Sequence, residues 1–179
     1  MFSNISSFSD VDVKNNTLII CDIDDTLIKF PKKFIEIYEM LKNSEIKAFG
    51  KYDEQLLYED ALYAYALHTN IEKPVLTDKN GFYLMLDKIK KQNSSLVFLT
   101  ARDIKHEHFC KKHFTDSGLN YNDFYVYYTN NTISKGEYIN KYIVLNNYDN
   151  IIFIDDRKEN IESVNQYFPQ IKCHLFLSS

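Results

Sequence analysis

The side chains able to do chemistry gather first in the stretch Cys21-Asp22-Ile23-Asp24-Asp25-Thr26-Leu27, directly after the apolar run Thr17-Leu18-Ile19-Ile20. A strand core accepts Leu and Ile, but an unpaired carboxylate there is expensive. The acids therefore belong where the strand emerges, in a site that supplies a compensating cation. Residues two apart on a strand share a face. Asp22 and Asp24 can thus meet one divalent metal and one substrate, and phosphoryl transfer is the chemistry that uses such acids. The plain alternative is an acidic turn in which Asp25 or Thr26 caps the next element. Later in the chain, Thr100 closes the run Leu96-Val97-Phe98-Leu99. Asp155 and Asp156 close Ile151-Ile152-Phe153-Ile154. Lys135 stands in Ser134-Lys135-Gly136-Glu137.

These groups need elements to carry them. The apolar runs at 17–22, 96–99, 124–128, 151–154 and 173–177 read as strands, about five in all. Between them, helical spacing is expected over 78–91, through Phe109 and Phe114 to Gly118, from Ser134 to about Leu145, and from Lys158 to Tyr167. Apolar strands alternating with helices predict an α/β fold with a parallel sheet covered on both faces. In such sheets ligands bind at the carboxyl ends of the strands, where the polar residues fall. Residues 29–77 have a different character. Phe34, Ile35, Ile37, Tyr38, Met40 and Leu41, and then Leu56, Leu57, Leu62, Ala66 and Leu67, recur at helical spacing on two segments broken near Ala48-Phe49-Gly50, with Pro31 opening and Pro74 closing the region. The expected organisation is a core of 1–28 and 78–179 with a small helical insertion at 29–77. Residues 1–16 are read as a short edge element or a loose arm.

Length and composition narrow the class. At 179 residues the chain is long enough to bury about 70% of its unfolded surface without staples. The net charge of −4 argues against a strongly basic nucleic-acid binder. Cys21, Cys110 and Cys173 are far apart and make no ligand spacing with the histidines (His68, His106, His108, His113, His174), so neither a zinc site nor a disulfide framework is expected. The first sixteen residues have no signal-peptide pattern. The expectation is a soluble, cytoplasmic protein without a membrane partner, of unknown oligomeric state.

Taken in order and context, the groups resemble the motifs of the haloacid dehalogenase-like (HAD) hydrolase superfamily. Its DxDxT motif stands as Asp22-Ile23-Asp24-Asp25-Thr26, its strand-ending Thr as Thr100 before Ala101-Arg102, its lysine as Lys135, and its paired acids as Asp155-Asp156. The resemblance spans about residues 17–177 and implies a Rossmann-like fold with a C1-type cap over 29–77. It implies a Mg²⁺-dependent phosphatase acting on a small phosphorylated substrate through an aspartyl-phosphate. Asp22 would attack phosphorus, and Asp24 would protonate the leaving alcohol and then activate water. Thr100, the backbone N–H at Ala101 and Lys135 would bind phosphate. The metal ligands would be an Asp22 oxygen, the Asp24 carbonyl and Asp155, an all-oxygen set suited to Mg²⁺.

Each supporting residue has a plainer reading. Thr100 can be a helix-entry hydroxyl. Lys135 can be a solvated lysine, although Ser134 and Glu137 form a capping box that places it in a first helical turn, where a cation opposes the helix dipole. Asp156 can be a cap, and Arg102 either touches substrate or is an exposed helix-start arginine. Tyr52, Tyr58, Tyr63 and Tyr65 meet a ring or sugar, or only pack. The alternatives in function are a polynucleotide end phosphatase, with Lys32-Lys33, Lys88, Lys90-Lys91 and Lys111-Lys112 as its track, and a non-hydrolytic phosphoacceptor or binding module. Asp25 departs from the Gly or Asn that the family often carries before its Thr.

Overall fold

The segment Thr17–Cys21 is buried at every position and is the hub of the molecule. The computed structural model describes residues 2–67 and 72–177. In chain order the strands are β1 (Phe2–Ile5), β2 (Thr17–Cys21), β3 (Ile28–Lys29), β4 (Val75–Leu76), β5 (Ser95–Thr100), β6 (Tyr125–Tyr128), β7 (Asn150–Asp155) and β8 (Lys172–Phe176). The helices are α1 (Lys32–Phe49), α2 (Glu54–Leu67), α3 (Lys79–Lys91), α4 (Glu107–Asp116), α5 (Lys135–Tyr142) and α6 (Lys158–Tyr167). The main sheet has six strands, all parallel, in the order β1-β8-β7-β2-β5-β6.

Alternation along β2 divides the core. Ile19 and Cys21 enter the cluster that includes Phe82, Phe98 and Phe114 on one face. Leu18 and Ile20 enter the cluster of Phe153, Ile139 and Ile161 on the other. With both faces covered, the strand reads as an unbroken apolar run. Each fully buried Ile or Leu there contributes about 1.5–3 kcal/mol. The expected α/β class and parallel sheet are what the fold shows.

Two local expectations change. The sheet has a sixth strand, and it comes from the segment read as an edge element or loose arm. β1 pairs with β8 from Phe2↔Cys173 to Ile5↔Phe176. Phe8 then anchors the arm, fully buried and stacked on Phe176 at 4.7 Å. Asp78 caps α3 through Gly81 N–H and also accepts from Ser7 Oγ at 2.6 Å and Phe8 N–H at 2.9 Å. Isolated aromatics in a polar stretch did not show this because their partners lie far away in sequence. Second, α5 ends at Tyr142, not near Leu145. Ile143 is already extended, and Ile143 and Leu145 pack into the second core cluster.

Between β3 and β4, which pair antiparallel, the chain makes a separate layer of α1 and α2. It has its own core of Phe30, Phe34, Ile37, Ala61, Leu62 and Tyr65. Gly50, at φ 71°, ends α1 in the left-handed conformation that glycine tolerates, its N–H bonding Ile46 O. Asp53 begins α2 by accepting from Leu56 N–H at 3.0 Å. Among the described residues no helix is long and apolar enough to cross a membrane.

Candidate active site

β2 sits where the sheet reverses direction: the chain builds β5 and β6 on one side of it, then returns to lay β7 on the other. Crevices at such points open at the carboxyl ends of the strands. Asp22 N–H donates to Ile154 O at 2.9 Å, carrying the β2–β7 pairing one residue further. Asp22 and Asp155 thus stand side by side, 5% and 0% exposed. Lys135, 3% exposed, lies between them, its Nζ donating to the Asp22 carboxylate and to Asp155 Oδ2 at 2.7 Å. A solvated surface lysine is excluded. The Asp155 carboxylate also accepts from Arg157 N–H and Asn160 Nδ2, each at 2.9 Å.

Lys135 reaches this point because α5 is positioned tightly. Ser134 Oγ accepts from Glu137 N–H, as the capping box predicts. Gly136 then lets α5 approach α6. A Cβ there would lie 2.2 Å from Ser163 O, and Gly136 N–H donates to Ser163 Oγ at 2.8 Å. Backbone cannot rotate away from such a clash. Gly136→Ala is therefore expected to cost about 1–3 kcal/mol in urea unfolding, the usual range for overpacking, and to move Lys135. An unchanged unfolding midpoint would contradict this close approach.

The turn after β2 explains Thr26 and Asp25. Leu27 and Ile28 N–H groups both donate to Ile23 O, and Asp25 N–H donates to Ile28 O. This curl puts Asp25 at φ 59°, a region that Gly, Asn and Asp enter more readily than other residues. Asp25 therefore takes this turn with less strain than most side chains would meet there. Thr26 is fully buried. Its Oγ1 accepts from Asp156 N–H at 2.9 Å and donates to Asp156 Oδ1 at 3.1 Å, joining the ends of β2 and β7.

Asp24 is held differently. Arg102 Nε donates to Asp24 Oδ2 at 2.9 Å and Nη2 to Oδ1 at 2.5 Å, a two-pronged pair. Arg102 is 3% exposed, so the exposed helix-start reading is corrected. Burial alone would push the Asp24 carboxyl up. The Arg102 charge and hydrogen bonds outweigh it and hold Asp24 below the usual carboxylate range, with smaller pulls from His113 and then from the nearby buried Tyr58 hydroxyl. That hydroxyl meets no partner in full hydrogen-bonding geometry. Nothing in the sequence spacing pairs Arg102 with Asp24.

These groups line a cavity of about 290 Å³, walled by Asp22, Asp24, Lys135 and Asp156 on the chemical side. Ala101 and Arg102 line it after β5. Thr100 lies behind them, fully buried, its Oγ1 accepting from Arg102 N–H at 3.2 Å. That bond closes a local turn at the end of β5, and the helical turn that follows is capped instead by Asp103, whose Oδ1 accepts from Lys105 N–H at 2.9 Å. Tyr58 and Tyr38 enter from the inserted helices, Asn131 and Arg157 from the loops after β6 and β7, and Asn160 from the first turn of α6. Of the other expected tyrosines, Tyr65 is packed against Phe30 and Phe34, Tyr63 against Phe109, and Tyr52 lies under Lys42. The Asn130-Asn131 pair, at φ 53° and 48°, had a turn signal in sequence; Tyr38, Arg157 and Asn160 had none. His68 lies outside the described residues. Lys33, Lys111 and Lys112 of the supposed basic track pair with Glu36, Glu107 and Asp116 on their own helices, and Lys88 bonds the Ser9 and Val11 carbonyls.

Asp22, Asp155 and Asp156 bring carboxylate oxygens within 4.8 Å of one another, a group able to hold a metal ion. Lys135 is their buried cation, so the negative charge is only partly met. Burial pushes the Asp22 carboxyl well up; Lys135 opposes it, and Asp155 and Asp24 add to it. Asp156 is pushed up to about 6 by burial, then by Asp155 and Asp25. Carboxyls raised by each other's charge are suited to a hard divalent cation, and an all-oxygen donor set fits Mg²⁺.

The model of the family described as "Protein of unknown function (DUF2608)" matches residues 2–130 and 126–175. No curated protein matches the sequence. Among solved structures, a chain of the Pnkp1/Rnl/Hen1 complex is similar at 13% identity and a TM-score of 0.50, covering 97% of this chain and 51% of that one. This chain thus spans about half the length of that one. The HAD domain of the Legionella pneumophila effector Lem4, solved as an inactive mutant, is similar at 16% identity and a TM-score of 0.47, covering 94% of this chain and 86% of that domain. At these identities the likeness concerns the fold alone.

Proposed function

The chain belongs to the DUF2608 family, and we propose that it is a Mg²⁺-dependent phosphatase of the HAD-like DxDxT type, hydrolysing a phosphate monoester through an aspartyl-phosphate. The carrying observation is the buried Lys135 held between Asp22 and Asp155 at the sheet's reversal point. A lysine against a helix dipole and two buried acids is costly as mere architecture, and it is well matched to an incoming phosphoryl group.

Asp22 attacks phosphorus as the P–O bond to the leaving group breaks, and Asp24 gives that oxygen a proton. Asp24 then takes a proton from the water that cleaves the aspartyl-phosphate, releasing inorganic phosphate and restoring Asp22. Arg102 favours the ionised Asp24 that the second step needs, and makes the protonated form of the first step the costlier one. Lys135 stays an ammonium: burial pulls it down, but the Asp155 and Asp22 charges raise it further. It would neutralise phosphoryl oxygens. Asp22, Asp155 and Asp156, with the Asp24 carbonyl, would hold Mg²⁺, which when bound supplies further charge neutralisation. The α1–α2 layer would act as the cap that excludes water.

Turnover of p-nitrophenyl phosphate is expected to stop on chelation and return with Mg²⁺. Protons compete with the metal for Asp156 below about 6. The Mg²⁺ concentration for half-maximal activity should therefore rise about tenfold from pH 7 to pH 5. No turnover with Mg²⁺ across phosphosugars, nucleotides, phosphoamino acids and phosphorylated oligonucleotide ends would overturn the phosphatase reading.

A further inference from the structure

The line of contacts from Asp24 through Arg102 ends on a buried imidazole that the chemistry above does not use. His113, on α4, is 1% exposed, and its Nδ1 lies 3.3 Å from Arg102 Nη1. A guanidinium only donates, so Nδ1 accepts and the ring proton sits on Nε2. Burial and the Arg102 charge hold the imidazole down at about 3, so it stays neutral and keeps its acceptor over any working pH.

Arg102 engages Asp24 through Nε and Nη2, which leaves Nη1 as the corner about which the fork can tilt. His113 takes that corner. On its other side the ring is gripped by the inserted layer. Phe30 meets it edge-on at 5.1 Å and 84°, and Tyr65 lies at 6.5 Å. Phe30 also faces the Arg102 guanidinium at 6.0 Å. Nε2 has no hydrogen-bond partner, and a buried unpaired donor costs about 1–3 kcal/mol. Packing alone would favour Phe or Leu at this position. What the imidazole adds is an acceptor aimed at Arg102.

We propose that His113 is a positioning residue: it locks the Arg102 fork that orients the Asp24 carboxylate, and ties that orientation to the seating of α1 and α2. This rests on Asp24 being the acid/base of the phosphatase reading. Its signature is dependence on the leaving group, since nitrophenolate departs without a proton and phenolate benefits from one.

The test compares kcat/KM for phenyl phosphate and p-nitrophenyl phosphate, which reports through leaving-group departure only. His113→Phe keeps a packed ring and removes the acceptor. It is expected to lose about tenfold on phenyl phosphate and about twofold on p-nitrophenyl phosphate. His113→Asn, whose Oδ1 can stand where Nδ1 does, should restore the wild-type ratio. Equal losses on both esters in a folded His113→Phe protein, or no loss, would overturn the proposal. A ¹⁵N spectrum of the wild-type imidazole provides a readout independent of turnover. The Nε2-protonated, Nδ1-accepting tautomer, persisting at pH 5, is expected, and a protonated Nδ1 would overturn the lock. Wild-type protein that turned over neither ester would instead count against the phosphatase reading, leaving the Arg102–His113 geometry to the ¹⁵N result.

Discussion

Asp22→Asn is expected to lower kcat on aryl phosphates by about 10⁴-fold or more, the scale on which removal of a covalent nucleophile is felt, with no loss of melting temperature. The two halves of this result have one cause. Burial, with Asp155 and Asp24 nearby, raises the Asp22 carboxyl well above its ordinary value. A carboxyl raised in the folded state costs stability that builds as the pH climbs from its unfolded pKa to its folded one and is felt in full above that. The neutral amide removes that cost, and Lys135 keeps its bond to Asp155. A site that gains stability when its reactive group is neutralised is showing the usual conflict between stability and activity. Steady-state kinetics and thermal unfolding on one preparation decide it. Wild-type turnover in Asp22→Asn would sink the nucleophile assignment, and a melting temperature many degrees lower would show that Asp22 is architectural.

The second large effect is Lys135→Met. The ammonium is the buried partner of both Asp22 and Asp155. Methionine fills similar volume but leaves two buried acids without their cation. Breaking a buried pair from one side costs about 3–5 kcal/mol, so metal-free Lys135→Met should unfold at clearly lower urea. Activity should fall as well, because the phosphoryl oxygens lose a fixed cation. Added Mg²⁺ should stabilise Lys135→Met more than wild type, since the Asp22-Asp155-Asp156 group is then short of one more positive charge. Equal Mg²⁺ shifts in the two proteins would mean that these acids do not bind the ion.

The inserted layer shows where sequence reading runs out. Helical spacing located α1 and α2, and Gly50 marked the break between them. The same spacing could not tell which tyrosine faces the cavity. Tyr58 lines it while Tyr65, two turns on, is core, and Tyr38 lines it with nothing in the sequence to set it apart. On an amphipathic helix, the side that meets a second layer and the side that meets its own partner are both apolar. Only the docking of the layer separates them.

What the sequence determined by itself was the set of strand ends. Apolar runs closed by Asp22, Thr100 and Asp155 specify a parallel sheet with polar groups at its carboxyl edge, because strands buried on both faces exclude such groups elsewhere. A capping box announced that Lys135 opens a helix. The tertiary structure decided which of these groups meet. Lys135 reaches Asp22 across 113 residues and Asp155 across 20. Arg102 meets Asp24 across 78, with His113 behind it. Local propensity sets which residues share an element, whereas contacts at such separations are set by sheet order and by the close approach of α5 to α6 at Gly136. Electrostatics between those residues exists only once packing has removed the water from among them.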